Sequence, residues 1–142
     1  MGTRSLTHIF NNEKEIACIY RQFDGCPSGM GSDLAALLSS GTFVNGLDGS
    51  AGKKFNGMGC FAAQLIGALK GDDAGGVYLY PAGSSECGEE YVYEIRGGNG
   101  GTDYKPLPVT VKCFAVYDNK TLYEGDIKGF VEFCNNPEPE EE

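Results

Sequence analysis

The stretch "PVTVKCFAVY", residues 108–117, sets Val109, Val111, Cys113, Ala115 and Tyr117 on one side of an extended chain. Side chains alternate between the two faces of a strand, so this run predicts a strand with one buried face. Such a strand needs partners, and both ends of the chain supply them. "RSLTHIF" and "EIACIYRQ" flank "NNEK" and read as a hairpin. In its second arm Ile16, Cys18 and Tyr20 share one face, and Ala17, Ile19 and Arg21 share the other. "VYLYP" (77–81) and "YVYEIR" (91–96) flank a polar turn, "AGSSECGEE", and "DNK" turns the 108–117 strand into "TLYEGD". Tyr78, Tyr80, Tyr91 and Tyr93 alternate on these strands; they predict cross-strand packing or a stacking ladder for a base or sugar.

The middle of the chain changes period. A loop from Asp24 to Gly31 leads to Ser32 as helix N-cap, with Asp33 in the first turn, where its charge meets the positive end of the dipole. Leu34, Leu37 and Leu38 form the apolar stripe and Gly41 ends the helix. Residues 42–57 read as a long loop. A second helix, from about Gly59 to Lys70, is apolar nearly all round, which predicts a buried helix. Gly59, Ala63 and Gly67 give it one smooth side for close packing. "IKGFVEFC" (127–134) predicts a closing helix with Ile127, Phe130, Val131 and Cys134 inward. The order ββααββββα predicts a single α+β domain over residues 1–135, with a mainly antiparallel sheet of about six strands and two or three helices on one face. Residues 136–142 read as an acidic, disordered tail.

Charge narrows the partners. The net charge is −9; four of the acids lie in the tail, so residues 1–137 carry −5, with no basic run longer than Lys53-Lys54. A nucleic-acid surface needs a positive stripe, so nucleic acid is not an expected partner. "MGTRSLTHIF" lacks the apolar stretch of a signal peptide, and "CFAAQLIGAL" is half a membrane span, so the expected location is cytoplasmic, without membrane contact. The six cysteines, 18, 26, 60, 87, 113 and 134, include no C-x-x-C pair, and reduced thiols are expected. His8 is the only histidine, so a zinc site needs an unusual ligand set; no metal or cofactor is expected.

"LDGSAGKKF" fails the P-loop pattern at Leu47 and Lys54. "GMGCFA" matches a dinucleotide fingerprint, but "KKFN" before it reads as a poor strand and no β-α-β unit surrounds it. What remains is a shared grammar. "SGMGS" (28–32) and "NGMGC" (56–60) each place glycine before a helix, where free backbone N–H groups and the dipole favour anions. One reading has the two helix starts converge on a small anionic or nucleotide-like ligand. Arg21 and Asp24 would lie beside it, Gly29, Gly31, Gly57 and Gly59 would offer backbone, and Ser32 a hydroxyl. The other has the glycines only shape turns, with Arg21 pairing Asp24. An enzyme reading places a thiolate at Cys60 near a helix N-terminus or at Cys26 in the loop, with His8 as the base.

"MGTRSLT", "IYRQFDGCPSGMGSDLAALL", "NGMGCFAAQL" and "VYLYPAGSSECGEEYVYEI" together resemble a family of small hypothetical proteins from bacteriophages and bacteria. Typical members read "YRQ-DGYP-GHG" where this chain has Cys26 and Met30, so the resemblance implies less polar chemistry in that loop here. It implies no particular activity, cofactor or substrate. A phage association implies a host-takeover or defence-countering role, including sequestration of a nucleotide signal in the host cytoplasm. The chain is therefore expected to be a non-catalytic binding protein of the Gly-rich helix starts. The alternatives are a structural or interaction protein, virion-associated, homo-oligomeric or bound to a protein partner, and a small cysteine-dependent hydrolase.

Overall fold

The computed structural model describes residues 2–47, 49–98 and 108–135. In chain order the strands are β1 (Ser5–Asn11), β2 (Lys14–Arg21), β3 (Thr42–Val44), β4 (Lys54–Asn56), β5 (Val77–Tyr80), β6 (Tyr91–Gly97), β7 (Thr110–Ala115) and β8 (Lys120–Asp126). The helices are α1 (Ser32–Leu38), α2 (Gly57–Lys70) and α3 (Ile127–Asn135). Six strands form one sheet in the order β5-β2-β1-β6-β7-β8. All neighbours are antiparallel except β1 and β6. That parallel pair requires a crossover, which the segment carrying α1 and α2 supplies before the chain returns. The β1–β2 turn is closed by Asn12 at φ 58°, a left-handed value that asparagine tolerates better than most residues.

All three helices cover one face of the sheet, as an α+β domain of this order requires. Ile9, Ile19, Tyr93, Ile95, Val111 and Cys113 point from the strands into that core. Leu34, Met58, Phe61, Leu65 and Phe130 meet them from the helices. Each fully buried side chain of this kind contributes roughly 1.5–3 kcal/mol by leaving water, which is what fixes the helix layer to this side.

Four local expectations change. The segment 42–57 is not all loop: β3 and β4 pair in parallel, and Phe43, Phe55 and Phe61 cluster with ring centroids 4.8–5.2 Å apart. The Asp24–Gly31 loop contains a π-type turn, Pro27–Gly31, that runs directly into α1, so Ser32 is the first residue of α1 and not its cap. The smooth side of α2 is not packed. Ala63 and Gly67 are exposed, and a Cβ at Gly59 or Gly67 would meet nothing within 4 Å. The tyrosine strands are not adjacent: β5 lies at the sheet edge beside β2, while β6 lies beside β1. Tyr80 therefore stacks on Tyr20 at 4.9 Å, and Tyr93 is buried on the helix side. The acidic tail, 136–142, lies outside the described residues.

The other face of the sheet carries no helix. Its register sets Leu6 between Tyr20 and Val92, and His8 between Cys18 and Glu94. A small second cluster of Leu6, Cys18 and Tyr20 forms there, with Tyr80 and Cys87 packed against it. The chain between β5 and β6 thus folds over one end of this open face. Among the described residues no helix is long and apolar enough to cross a membrane.

Candidate functional site

The site is built by the β1–β2 hairpin. From its turn the pairs run Asn11 with Lys14 and Phe10 with Glu15, but then Ile9 with Ala17 and His8 with Cys18. Ile16 is an extra residue, a β-bulge, and it reverses the alternation of everything beyond it in β2. Glu15 and Cys18 are three positions apart, which in a regular strand sets them on opposite faces. The bulge returns both to the open face, where His8 already points.

The result is a three-residue cluster. His8 Nδ1 lies 2.6 Å from Glu15 Oε2, and a donor atom from each of His8, Glu15 and Cys18 falls within 4.8 Å of the others. The His8 and Glu15 side chains are 12% and 13% exposed, and Cys18 is fully buried. The cluster therefore opens to solvent at its imidazole and carboxylate and closes over its sulfur. Burial pushes the Cys18 thiol up to about 12, helped by the charges of Glu15, Cys87 and Glu89, while a backbone hydrogen bond from Ser84 pulls the other way. The thiol consequently rests protonated. A carboxylate on one imidazole nitrogen fixes the ring and its tautomer, the role an acidic residue plays in nucleophile–base–acid triads.

One strand further along, a cavity of about 320 Å³ lies on the same face, lined by Glu89, Val92, Glu94, Lys112, Phe114 and Val116. It borders the cluster at Glu94, which sits opposite His8, and at Glu89, whose charge helps hold the proton on Cys18. Its lining combines apolar side chains with charges of both signs. Arg96 crosses the Phe10 ring at 3.7 Å and pairs with Glu94 at 3.1 Å, on the hairpin side of that glutamate.

The residues of the Gly-rich helix starts are placed differently. Arg21 pairs with Asp33 at 2.6 Å and not with Asp24, and its Nε donates to the Phe23 carbonyl. The backbone N–H groups of Gly29 and Gly31 donate to the Cys26 carbonyl, and that of Met30 to Asp24, so the loop consumes its own donors. A Cβ on Gly29 would fall against the Asp24 carbonyl, so this glycine allows the chain to close on itself. The Ser32 hydroxyl donates to the Pro27 carbonyl. The two helix starts do not converge. Gly25 is bonded to Thr3 beside the start of β1, whereas Gly97, at the end of the parallel strand β6, abuts Met58 at the start of α2. Gly57 (φ 86°) and Gly59 lie at that second end. A cavity of about 560 Å³ involving Arg21, Asp24, Asp33 and Lys53 lies on the helix side, across the sheet from His8.

The expectation of a non-catalytic protein binding at these glycines is thus corrected. The convergent chemical groups among the described residues are His8, Glu15 and Cys18, on the opposite face of the sheet, a base, an acid and a thiol of the kinds that nucleophilic catalysis or a metal would use. The enzyme alternative survives with a different sulfur. Cys26 contacts the Ser28 hydroxyl and lies near Tyr93, and Cys60 accepts from Gln64 at 3.4 Å, both on the helix side and out of reach of His8. All six cysteines are free thiols. No protein-family model, curated protein or solved structure matches the chain.

Proposed function

We propose that the protein is a small cysteine-dependent hydrolase of acyl substrates, with Cys18 as nucleophile, His8 as general base and Glu15 orienting the imidazole. The observation that carries this is the convergence of the three side chains within 4.8 Å on the open sheet face. Because the thiol rests protonated, it acts as a serine hydroxyl does and not as a standing thiolate. Once the β5–β6 segment carrying Cys87 lifts from the buried sulfur, His8 removes the proton as sulfur attacks the acyl carbon. The proton then passes from His8 to the departing alcohol or amine, leaving a thioester on Cys18. Water, deprotonated by the same imidazole, attacks that thioester and restores the thiol, so the net reaction consumes one water and releases one acid. The adjoining cavity, lined by Val92 and Phe114 together with Lys112, suits an acyl group of mixed character.

The test is nitrophenolate release from p-nitrophenyl acetate by the purified chain. Cys18→Ala should abolish release above the solution background. His8→Gln should lower it by about 10²–10⁴-fold, the usual worth of a positioned general base. Glu15→Gln should lower it by less. Release that survives Cys18→Ala would defeat the proposal.

A further inference from the structure

We infer that His8, Glu15 and Cys18 are also the donor set for a divalent cation of the zinc class, and that cation binding and acyl transfer at Cys18 exclude one another. The second half of this inference rests on the hydrolase reading above; the first half does not. Imidazole nitrogen, carboxylate oxygen and thiolate sulfur are the three donor types zinc takes, and three protein donors with an open fourth position are the pattern of a reactive rather than a structural zinc site. Softer thiolate with imidazole also selects zinc over magnesium or calcium, which want oxygen throughout.

The geometry is close to what is needed. Donor atoms in a tetrahedral zinc site lie about 3.3–3.6 Å apart, as zinc bond lengths near 2.0–2.3 Å require. Here His8 Nδ1 and Glu15 Oε2 stand at 2.6 Å, and all three donors lie within 4.8 Å. Closing on a cation therefore asks the carboxylate to step back and the sulfur to approach, each by about an ångström, through side-chain rotation on a fixed hairpin. Two of the donors reach the surface, which gives the ion an entry path, and Glu89 adds negative charge beside it. Binding replaces the thiol proton with the metal, so the lone pair that would attack an acyl carbon is held on the ion. That makes the two uses of Cys18 mutually exclusive.

The experiment is a Co²⁺ titration of the full chain, reduced with a phosphine, read by the thiolate-to-cobalt charge-transfer absorption. The expected result is one equivalent of Co²⁺ per chain, displaced by one equivalent of Zn²⁺, with the band absent in Cys18→Ala. Circular dichroism establishes that this variant is folded. Glu15→Gln, a change at the hairpin surface, provides a second reading: affinity should fall by about tenfold or more, at least what loss of an outer-sphere partner costs. A band that persists in Cys18→Ala, or no band in the wild type, overturns the cation site. Acylation is read with p-nitrophenyl acetate on the metal-free chain and again after one equivalent of Co²⁺. Acylation of the metal-free chain with no band on adding Co²⁺ overturns the cation site while leaving the hydrolase. A band with no acylation of the metal-free chain supports the cation site and removes the hydrolase. Acylation undiminished by bound Co²⁺ overturns the mutual exclusion.

Discussion

Cys18 and Cys113 occupy opposite faces of one sheet, and their surroundings are alike in one respect only. Both are fully buried, and burial is the first reason that each thiol is pushed up to about 12. Around Cys113 the partners are the Tyr93 hydroxyl and Cys134, groups that hold their protons, beneath Phe130 of α3. Around Cys18 they are an imidazole and a carboxylate 2.6 Å apart, beneath a loop instead of a helix. Burial by itself yields an inert thiol. A neighbouring base that can take the proton is what separates a site from a core contact. Among the described residues an imidazole and a carboxylate stand beside Cys18 and not beside Cys113.

The largest expected effect lies on the sealed side. Tyr93 is fully buried and its hydroxyl donates to the Gly25 carbonyl at 2.8 Å, tying the loop before α1 to the sheet. Tyr93→Ala should lower stability by about 3–5 kcal/mol in urea unfolding, the range for large aromatic truncations in a core. A loss below about 1 kcal/mol would mean that the helix layer is not packed there as described.

Alkaline unfolding compares the two faces directly. Cys18, Cys113 and Cys134 each have a thiol raised from 9.0 to about 12 in the folded chain. Below pH 9 the thiol is protonated folded or unfolded, and the group is neutral in the balance. Between pH 9 and 12 the unfolded chain loses the proton while the folded chain keeps it, so stability falls as pH rises. Each thiol removes about 1.4 kcal/mol per pH unit in that window. Cys113→Ala and Cys18→Ala should each reduce the slope by a similar amount. A slope unchanged in Cys18→Ala would show its sulfur open to water, and the two thiols would no longer be comparable.

The smallest effect concerns the bulge. Deleting Ile16, which is 38% exposed, makes the hairpin regular while leaving Glu15 opposite Phe10 and Cys18 opposite His8. Reaction at Cys18 should persist in this variant, measured by nitrophenolate release. Its loss would mean that the site depends on the local twist of the bulge and not merely on the face to which it returns Cys18.

The same bulge explains what the sequence shows and what it hides. Alternation in "PVTVKCFAVY" and "EIACIYRQ" makes the sheet legible, because a half-buried strand writes its inward face at every second residue. The helices are legible from glycine before and apolar spacing within. Counting back from the turn, however, pairs His8 with Ala17 and turns Cys18 to the other side, so the cluster stays hidden until one extra residue is placed. The sole histidine across from a cysteine in one hairpin was the available signal, and it points to the right neighbourhood without fixing the register. The tyrosine pairing misleads for a related reason: which strands become neighbours is a long-range outcome, and β5 is separated from β6 by two strands, β2 and β1. The two glycine-rich starts look alike because both solve a tight entry into a helix. At Gly29 to Gly31 the backbone donors are already used by the loop itself.

The most direct test of Cys18 as nucleophile is peptide mapping of the acetyl group after brief exposure of the native chain to p-nitrophenyl acetate. The adduct is expected on Cys18 in the wild type and is expected to be lost in His8→Gln, although Cys26, Cys60 and Cys87 are more accessible. An adduct confined to those three thiols, or one on Cys18 that forms as fast without His8, would contradict it.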